Sequence, residues 1–295
     1  MSQDTIVNIL NELVQCFHDN AIACAQSDAE WIIQDILKIS DRSQLYCQRH
    51  DIIDEDSIRK IRNHASLRIQ GMPVQYIVGY ADFFGLIFHI NEHVLIPRPE
   101  TEMIVELVQK DIREKSSELK KPLRILDIGT GSGNITITLA VKTNCLITAV
   151  DLSEQALNIA RENAKTHRVA DRIDFRISNV FDDIPSGSSF DYIVSNPPYI
   201  PEEQIQTLPI EIKQYEPHIA LSGGVNGVNI IKRIAEKAYS LLAPDGRLFI
   251  EIGGSYQSLE ASKIFHQYPE YQHPIRIHKD LAGEDRILEV HKRIM

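Results

Sequence analysis

The stretch Leu123-Arg124-Ile125-Leu126-Asp127-Ile128, running into Gly129-Thr130-Gly131-Ser132-Gly133, constrains the fold of this chain more than any other. A short, mostly apolar run without strict polar alternation reads as a strand buried on both faces, and such strands belong to parallel sheets covered by helices. The glycines after it let the backbone turn tightly and approach a ligand with no Cβ in the way. An apolar-periodic helix through Ile135, Leu139 and Ala140 comes next, and its N-terminus offers free N–H groups. A dinucleotide site uses G-x-G-x-x-G, whereas here Gly133 arrives one place early and Asn134 stands where the last glycine would be. A G-x-G-x-G loop preceded by the acidic Asp127 suits a cofactor that lacks a pyrophosphate. A second strand over 146–150 ends in Asp151, close to the roughly 20-residue spacing of a ribose-binding carboxylate.

Downstream, a strand through Tyr192, Ile193 and Val194 stops at Asn196-Pro197-Pro198-Tyr199. Neither proline can donate to a ladder, so the sheet ends there. The stop leaves a carboxamide, stiff carbonyls and an aromatic ring at the C-terminal end of a strand, where open α/β sheets bind ligands. Such a group suits a planar NH2-bearing substrate: Asn196 accepts from one N–H, the Pro197 carbonyl from another, and Tyr199 covers the plane, with Pro198 stiffening the turn. A proline-rich turn that only ends a strand is the competing reading. Loop, spaced Asp151 and Asn-Pro-Pro-Tyr, in that order, point together to a methyltransferase that uses S-adenosylmethionine.

Around this centre the chain reads as helical from 1 to 70. Ile6, Ile9, Leu10, Leu13 and Val14 share a face, Trp31, Ile32, Ile36 and Ile39 suggest a second helix, and a third is expected over 54–70, stopped by Gly71 and Pro73. Asp28, Glu30, Asp35, Asp54, Glu55 and Asp56 make this segment acidic, which argues against a DNA-binding helix pair and for a bundle that docks a protein. Aromatic and β-branched residues over 74–98 suggest a hairpin. Beyond Asp151 the alternation continues: helix over 153–167, strands over 173–177 and 247–252, helix over 227–242, and a last strand over 285–290. The charged run 110–121 reads as a solvated helix end and linker.

Bulk properties remove several rivals. A formal net charge of −10 lacks the basic footprint of most nucleic-acid binders. No apolar run reaches the roughly 18 residues of a membrane span, and the N-terminus carries no signal region, so a cytoplasmic protein is expected. Cys16, Cys24, Cys47 and Cys145 form no C-x-x-C pair and read as free, mostly packed thiols. His89 and His93 would not share a face in a hairpin and lack a third ligand, so no metal site is expected.

The combination Gly71-x-Pro73-x-Gln75-Tyr76-Ile77-x-Gly79, Ile96-Pro97-Arg98-Pro99-Glu100-Thr101-Glu102, the 129–133 loop, Asn196-Pro197-Pro198-Tyr199-Ile200, Glu216-Pro217-x-x-Ala220-Leu221 and Lys279-Asp280-Leu281-Ala282-Gly283-x-Asp285-Arg286 resembles the release-factor glutamine methyltransferases (HemK-type). That resemblance, over about 70–290, implies an α/β fold: a Rossmann-like class I methyltransferase sheet, mostly parallel with an antiparallel last strand, beside a small all-helical N-terminal domain and a linking β-hairpin. It implies domains at 1–72 (release-factor docking), 73–98 (hairpin) and 99–295 (catalysis). It implies S-adenosylmethionine on Gly129, Thr130, Gly131, Ser132, Gly133, Asp151, Val180 and Asn196, and a catalytic Asn196, Pro197 and Tyr199. Asn179 would flank the adenine; Arg98, Glu100 and Thr101 would border the cofactor or only form a capped helix start, and Glu216 and Pro217 would shape the glutamine pocket or only close the loop over 201–225. The substrate it implies is the glutamine amide of the Gly-Gly-Gln tip of peptide chain release factors, held by Asn196, Pro197, Pro198 and Tyr199, with no direct nucleic-acid or membrane partner. Two alternatives stay open: an adenine-N6 methyltransferase, which shares Asn-Pro-Pro-Tyr, and a non-catalytic S-adenosylmethionine-binding partner module.

Overall fold

A computed structural model of the chain describes residues 4–115, 121–271 and 275–292. It divides into two compact units, Met1–Tyr80 with Pro209–Tyr215, and Ala81–Leu208 with Glu216–Met295.

The first unit is helical: α1 (Ile6–Asp19), α2 (Ala25–Leu37), α3 (Arg42–Cys47), α4 (Glu55–Ile69) and α5 (Val74–Val78). Apolar residues at three- and four-residue intervals put Ile9, Leu13 and Phe17 of α1 into one core with Ile32 and Ile33 of α2 and Ile61 of α4. Helix α4 starts where an acid can cap it, the Asp54 carboxylate accepting from Ser57 N at 2.9 Å. Trp31 stacks on Tyr80 with ring centroids 5.7 Å apart, a packing role as its helical spacing suggests. Two of the acids expected to give this segment an acidic surface are instead inside it. Asp28 is buried and meets Arg68 at 2.7 Å, and the same guanidinium reaches Glu211 at 2.8 Å on the Ile210–Tyr215 turn. Glu30, also buried, takes the Tyr46 hydroxyl at 2.8 Å and Arg42 at 2.9 Å. Buried charges need partners, and these acids are core pairs. Tyr76-Ile77-Val78, whose β-branched content suggests part of the hairpin, closes α5 instead. Pro73 supplies the helix start and Gly79, at φ +83°, its left-handed stop.

The hairpin is therefore short, β1 (Tyr80–Phe83) and β2 (Leu86–His89), turning through Phe84 and Gly85, both at positive φ. Then follow α6 (Glu102–Lys115), β3 (Leu123–Ile128), α7 (Asn134–Lys142), β4 (Cys145–Asp151), α8 (Glu154–Thr166), β5 (Ile173–Ile177), β6 (Phe190–Ser195), α9 (Ile210–Tyr215, within the first unit), α10 (His218–Leu221), α11 (Asn229–Leu241), β7 (Leu242–Glu251), α12 (Ser255–Phe265), β8 (Arg276–Lys279) and β9 (Asp285–His291). The strands form one sheet in the order β5-β4-β3-β6-β7-β9-β8, parallel except for β9, which runs antiparallel to both neighbours. This is the Rossmann-like sheet that the buried strand and glycine loop imply. Sequence periodicity passes over α12 and β8; β8 is a four-residue polar edge, Arg-Ile-His-Lys, too short and charged to show a strand pattern. The charged run 110–121 is helix as far as Lys115, and its part over 116–120 lies outside the described residues.

Period-two alternation assigns the faces of β3. Leu126 and Ile128 join a core with Ile231 and Ile234 of α11 and Phe265 of α12, whereas Asp127 turns to α7, where Thr136 meets it. Beside β3 the direction of winding reverses: β4 and β5 lie on one side, β6 and β7 on the other. Ile128 pairs with Ser195, and Ser195 Oγ donates to the Ile128 carbonyl at 2.7 Å, so the loops leaving β3 and β6 start side by side at the switch point. Polar groups also cross the sheet. Tyr192 donates to Asp111 of α6 at 2.6 Å, and Arg247 bridges Asp111 at 3.0 Å and Glu289 at 2.6 Å, with His278 on the other oxygen of Glu289. All four cysteines are free, but Cys24, just before α2, and Cys47, at the end of α3, are exposed rather than packed.

Candidate active site

The glycine loop is held by carboxylates from two strands. Asp127, almost wholly buried, takes the hydroxyls of Thr130 at 2.8 Å and Thr136 at 2.6 Å on one oxygen, and burial pushes its pKa up to about 6. Asp151, at the end of β4, accepts Gly131 N at 2.8 Å and Ser153 N at 2.9 Å; burial raises its pKa, and these backbone donors counter the rise. Gly131 sits at φ +55° with open space where a Cβ would stand, so the backbone there can meet a ligand directly. Gly133 is different. At φ +82° it begins α7, and a Cβ there would stand 2.7 Å from Ile137 Cδ1, so it is a packing glycine rather than part of the cavity wall.

The cavity at the switch point brings together Gly129, Thr130, Gly131, Ser132, Asp151, Asn179, Val180, Asn196, Pro197 and Pro198, with Arg98 and Thr101 at its border. Glu100 and Glu216 do not line it. Glu216 is buried and pairs with Arg98, which engages the one Arg or Lys of the lining among the described residues. Val180 is buried at φ +62°, an unusual conformation for a β-branched residue and one that persists where surrounding structure enforces it.

Asn196 Nδ2 donates to Thr101 Oγ1 at 3.0 Å, and its Oδ1 has no protein partner among the described residues. Tyr199 departs from the expected place over the substrate plane. Its ring lies against Gly253, where a Cβ would come within 2.9 Å of it, and its hydroxyl points to Glu251 Oε1 at 3.4 Å. The Tyr199 carbonyl accepts from Gln257 Nε2 at 3.0 Å. The ring therefore lines a separate cavity with Gly253, Tyr256 and Gln257, and burial pushes its phenol up, keeping it protonated.

Sequence reasoning missed Glu251. It is 1% exposed at the end of β7, accepts the Thr101 hydroxyl at 2.6 Å, and burial raises its pKa to about 7 against the pull of Thr101 and Arg286. The available signal was an acid set among Leu248, Phe249, Ile250 and Ile252.

The donors present fit a cofactor that carries a ribose and a planar base but no phosphate. There is a carboxylate for hydroxyls, a loop backbone open to close approach at Gly131, apolar sides from Leu152, Val180, Ile219 and Ile230, and, among the described residues, no uncommitted Arg or Lys in the lining. Among the described residues no group of three or more His, Cys, Asp or Glu is arranged to hold a metal ion, and no helix is long and apolar enough to cross a membrane.

Comparison with known proteins adds the following. Residues 119–285 match the family described as a methyltransferase domain, and residues 8–79 the PrmC N-terminal domain. The release factor glutamine methyltransferase of Lactococcus lactis is 37% identical over 265 residues, spanning 89% of this chain and 93% of that protein. That of Rhodopirellula baltica is 32% identical over 289 residues, spanning 98% of this chain and 96% of its own. That of Fusobacterium nucleatum is 36% identical over 290 residues, spanning 98% and 79%. Among solved structures, a Pyrococcus furiosus methyltransferase superposes with a TM-score of 0.51 at 19% identity, over 79% of this chain and 99% of that one. The T. thermophilus 16S rRNA methyltransferase RsmC, in complex with AdoMet and guanosine, does so at 0.52 and 17% identity, over 72% and 50%. These two likenesses show the fold.

Proposed function

We propose a function that proceeds from one fact: this chain belongs to the release factor glutamine methyltransferases. It transfers a methyl group from S-adenosylmethionine to the side-chain amide nitrogen of a glutamine in a peptide chain release factor, the glutamine being that of the Gly-Gly-Gln motif. The observation that carries the chemistry is the unpartnered Oδ1 of Asn196 beside the Pro197 carbonyl, at a cavity shared with the glycine loop and Asp151.

The cofactor supplies a methyl on a positively charged sulfur. Asp151 would accept from the ribose hydroxyls, the 129–132 backbone would approach the cofactor, and Leu152 and Val180 would side the base. An amide nitrogen is a poor nucleophile, because its lone pair is delocalised into the carbonyl. Asn196 Oδ1 and the Pro197 carbonyl would accept its two hydrogens, aiming the nitrogen and favouring the positive charge that develops on it. Positioning and preorganised electrostatics supply the rate enhancement. No side chain is assigned as general base, since the methylated nitrogen is itself strongly acidic. The helical unit would dock the release factor, and the site of action would be the cytoplasm, where translation terminates; neither nucleic acid nor a membrane is among the proposed partners.

Incubating the protein with isotope-labelled cofactor and a release factor, then mapping the label by mass spectrometry, tests the reading. One methyl on the Gly-Gly-Gln glutamine is expected. Label on added DNA or RNA alone would favour the adenine reading, and cofactor binding with no transfer would favour the non-catalytic module. Asp151→Ala should weaken cofactor binding roughly 10- to 100-fold, as loss of hydrogen bonds to a charged group costs about 1.5–3 kcal/mol. Calorimetric titration without release factor reads this directly, and an unchanged Kd would remove Asp151 from the cofactor site.

A further inference from the structure

Two catalytic demands fall on Asn196: its carboxamide must face the substrate, and it must do so with its oxygen. Shape alone secures only the first. The two ends of a carboxamide are nearly isosteric, and turning it over replaces an acceptor by a donor. A donor end aimed at the substrate nitrogen would repel the N–H groups it should hold.

The only side chain hydrogen-bonded to the Asn196 amide among the described residues is Thr101, at 3.0 Å from Nδ2. A hydroxyl by itself does not settle the choice, since it can donate to Oδ1 or accept from Nδ2. Its single proton is committed elsewhere: Thr101 Oγ1 donates to Glu251 Oε2 at 2.6 Å. Thr101 and Glu251 are each about 1% exposed, so water does not compete for that proton. An ionised carboxylate only accepts. With the Thr101 O–H donated to Glu251, the hydroxyl oxygen has only acceptor capacity left, and the sole end of Asn196 that can meet it is Nδ2. Oδ1 is then the end left for the substrate.

We propose that Glu251, acting through Thr101, fixes the polarity of the Asn196 carboxamide and is a positioning residue for the transfer. The inference rests on the function proposed above. The order of groups is Glu251, Thr101, Asn196, substrate amide, and each hydrogen bond in it runs in one direction. Tyr199 belongs to the same device, because its hydroxyl approaches the second oxygen of Glu251 at 3.4 Å. This gives the tyrosine of Asn-Pro-Pro-Tyr a task on the far side of the carboxylate from Thr101.

The groups around Glu251 define its response to pH. Arg286 of β9, itself paired with Asp280 at 2.9 Å, favours the ionised form; Glu100, in the turn before α6, opposes it; Thr101 and Tyr199 donate to it. With burial these place Glu251 at about 7. When Glu251 is protonated it can donate to Thr101, whose proton is then free to turn toward Asn196 and reverse the amide. Turnover should therefore show an acid limb near neutrality.

The test uses the full chain with release factor. Thr101→Val keeps the shape and removes the link, and kcat should fall about 10- to 100-fold with cofactor Kd and release-factor KM near wild type. Thr101→Ser restores the hydroxyl and should recover most of kcat. Glu251→Gln, which accepts or donates equally, should lower kcat and flatten the acid limb. A Thr101→Val enzyme that turns over normally, or a Thr101→Ser enzyme as impaired as Thr101→Val, would overturn the positioning role. So would an acid limb that is unchanged in Glu251→Gln. Wild-type protein that fails to methylate release factor would instead overturn the function from which the inference starts.

Discussion

Replacing Asn196 with alanine is expected to lower turnover by roughly 100- to 1,000-fold, the scale of deleting one preorganised electrostatic partner from an active site, while cofactor affinity stays near wild type. The asymmetry follows from the geometry. In the proposed site the cofactor contacts would be divided among the glycine loop, Asp151 and the apolar walls, whereas the acceptor for the substrate amide would be one carboxamide oxygen and a neighbouring carbonyl. Alanine leaves the Pro197 carbonyl in place, so positioning is halved rather than abolished. Single-turnover transfer to release factor, together with calorimetric cofactor binding, separates the two effects. Near-normal turnover in Asn196→Ala would exclude the proposed chemistry, and a lost cofactor affinity would mean that Asn196 serves binding instead.

The largest expected stability effect lies away from the cavity, at Arg247. This guanidinium faces Asp111 and Glu289, whose side chains are only 7% and 3% exposed. Arg247→Met removes one cation and leaves two buried acids with fewer partners, and a loss of about 3–5 kcal/mol is expected, the usual scale for breaking a buried ion pair from one side. Urea unfolding followed by circular dichroism measures it. The triple change Arg247→Met, Asp111→Asn, Glu289→Gln should be less destabilising than the single one, because no buried acid is left facing the missing cation; a triple variant as unstable as the single would place the cost in packing. The pH dependence has a defined sign. Burial tends to raise the Glu289 carboxyl, but His278 and Arg247 outweigh it and hold it below its ordinary 4.5. A depressed acid contributes stability above its unfolded-state pKa and loses it as pH falls through the folded-state value. Arg247→Met should therefore flatten that acid-side loss.

Much of the fold was legible because local signals agreed with the tertiary answer. The predicted strand over 173–177 matches β5, the capping acid Asp54 marks the start of α4, and the strand ending in Asp151 is β4. Legibility failed where local chemistry and environment disagree. Tyr76-Ile77-Val78 has strand composition, yet Pro73 and Gly79 bracket a helical turn. Asp28 and Glu30 read as surface charge because sequence cannot show that Arg68 and Arg42 lie opposite. Gly133 fits the loop motif, but its lack of a Cβ serves Ile137 and Ala160, not a ligand.

The sequence by itself determined the class of chemistry. A buried strand, a glycine loop, a spaced Asp151 and a strand stopped by Asn-Pro-Pro-Tyr are local patterns, and each carries its meaning within a few residues. The tertiary structure alone decided which groups meet around Asn196. Asn196 meets Thr101 from 95 positions along the chain and Thr101 meets Glu251 from 150, while the Tyr199 hydroxyl approaches the same carboxylate. The direction of a hydrogen bond depends on which groups share a proton in a dry space, and burial of that kind is a property of the packed sheet rather than of any segment of it.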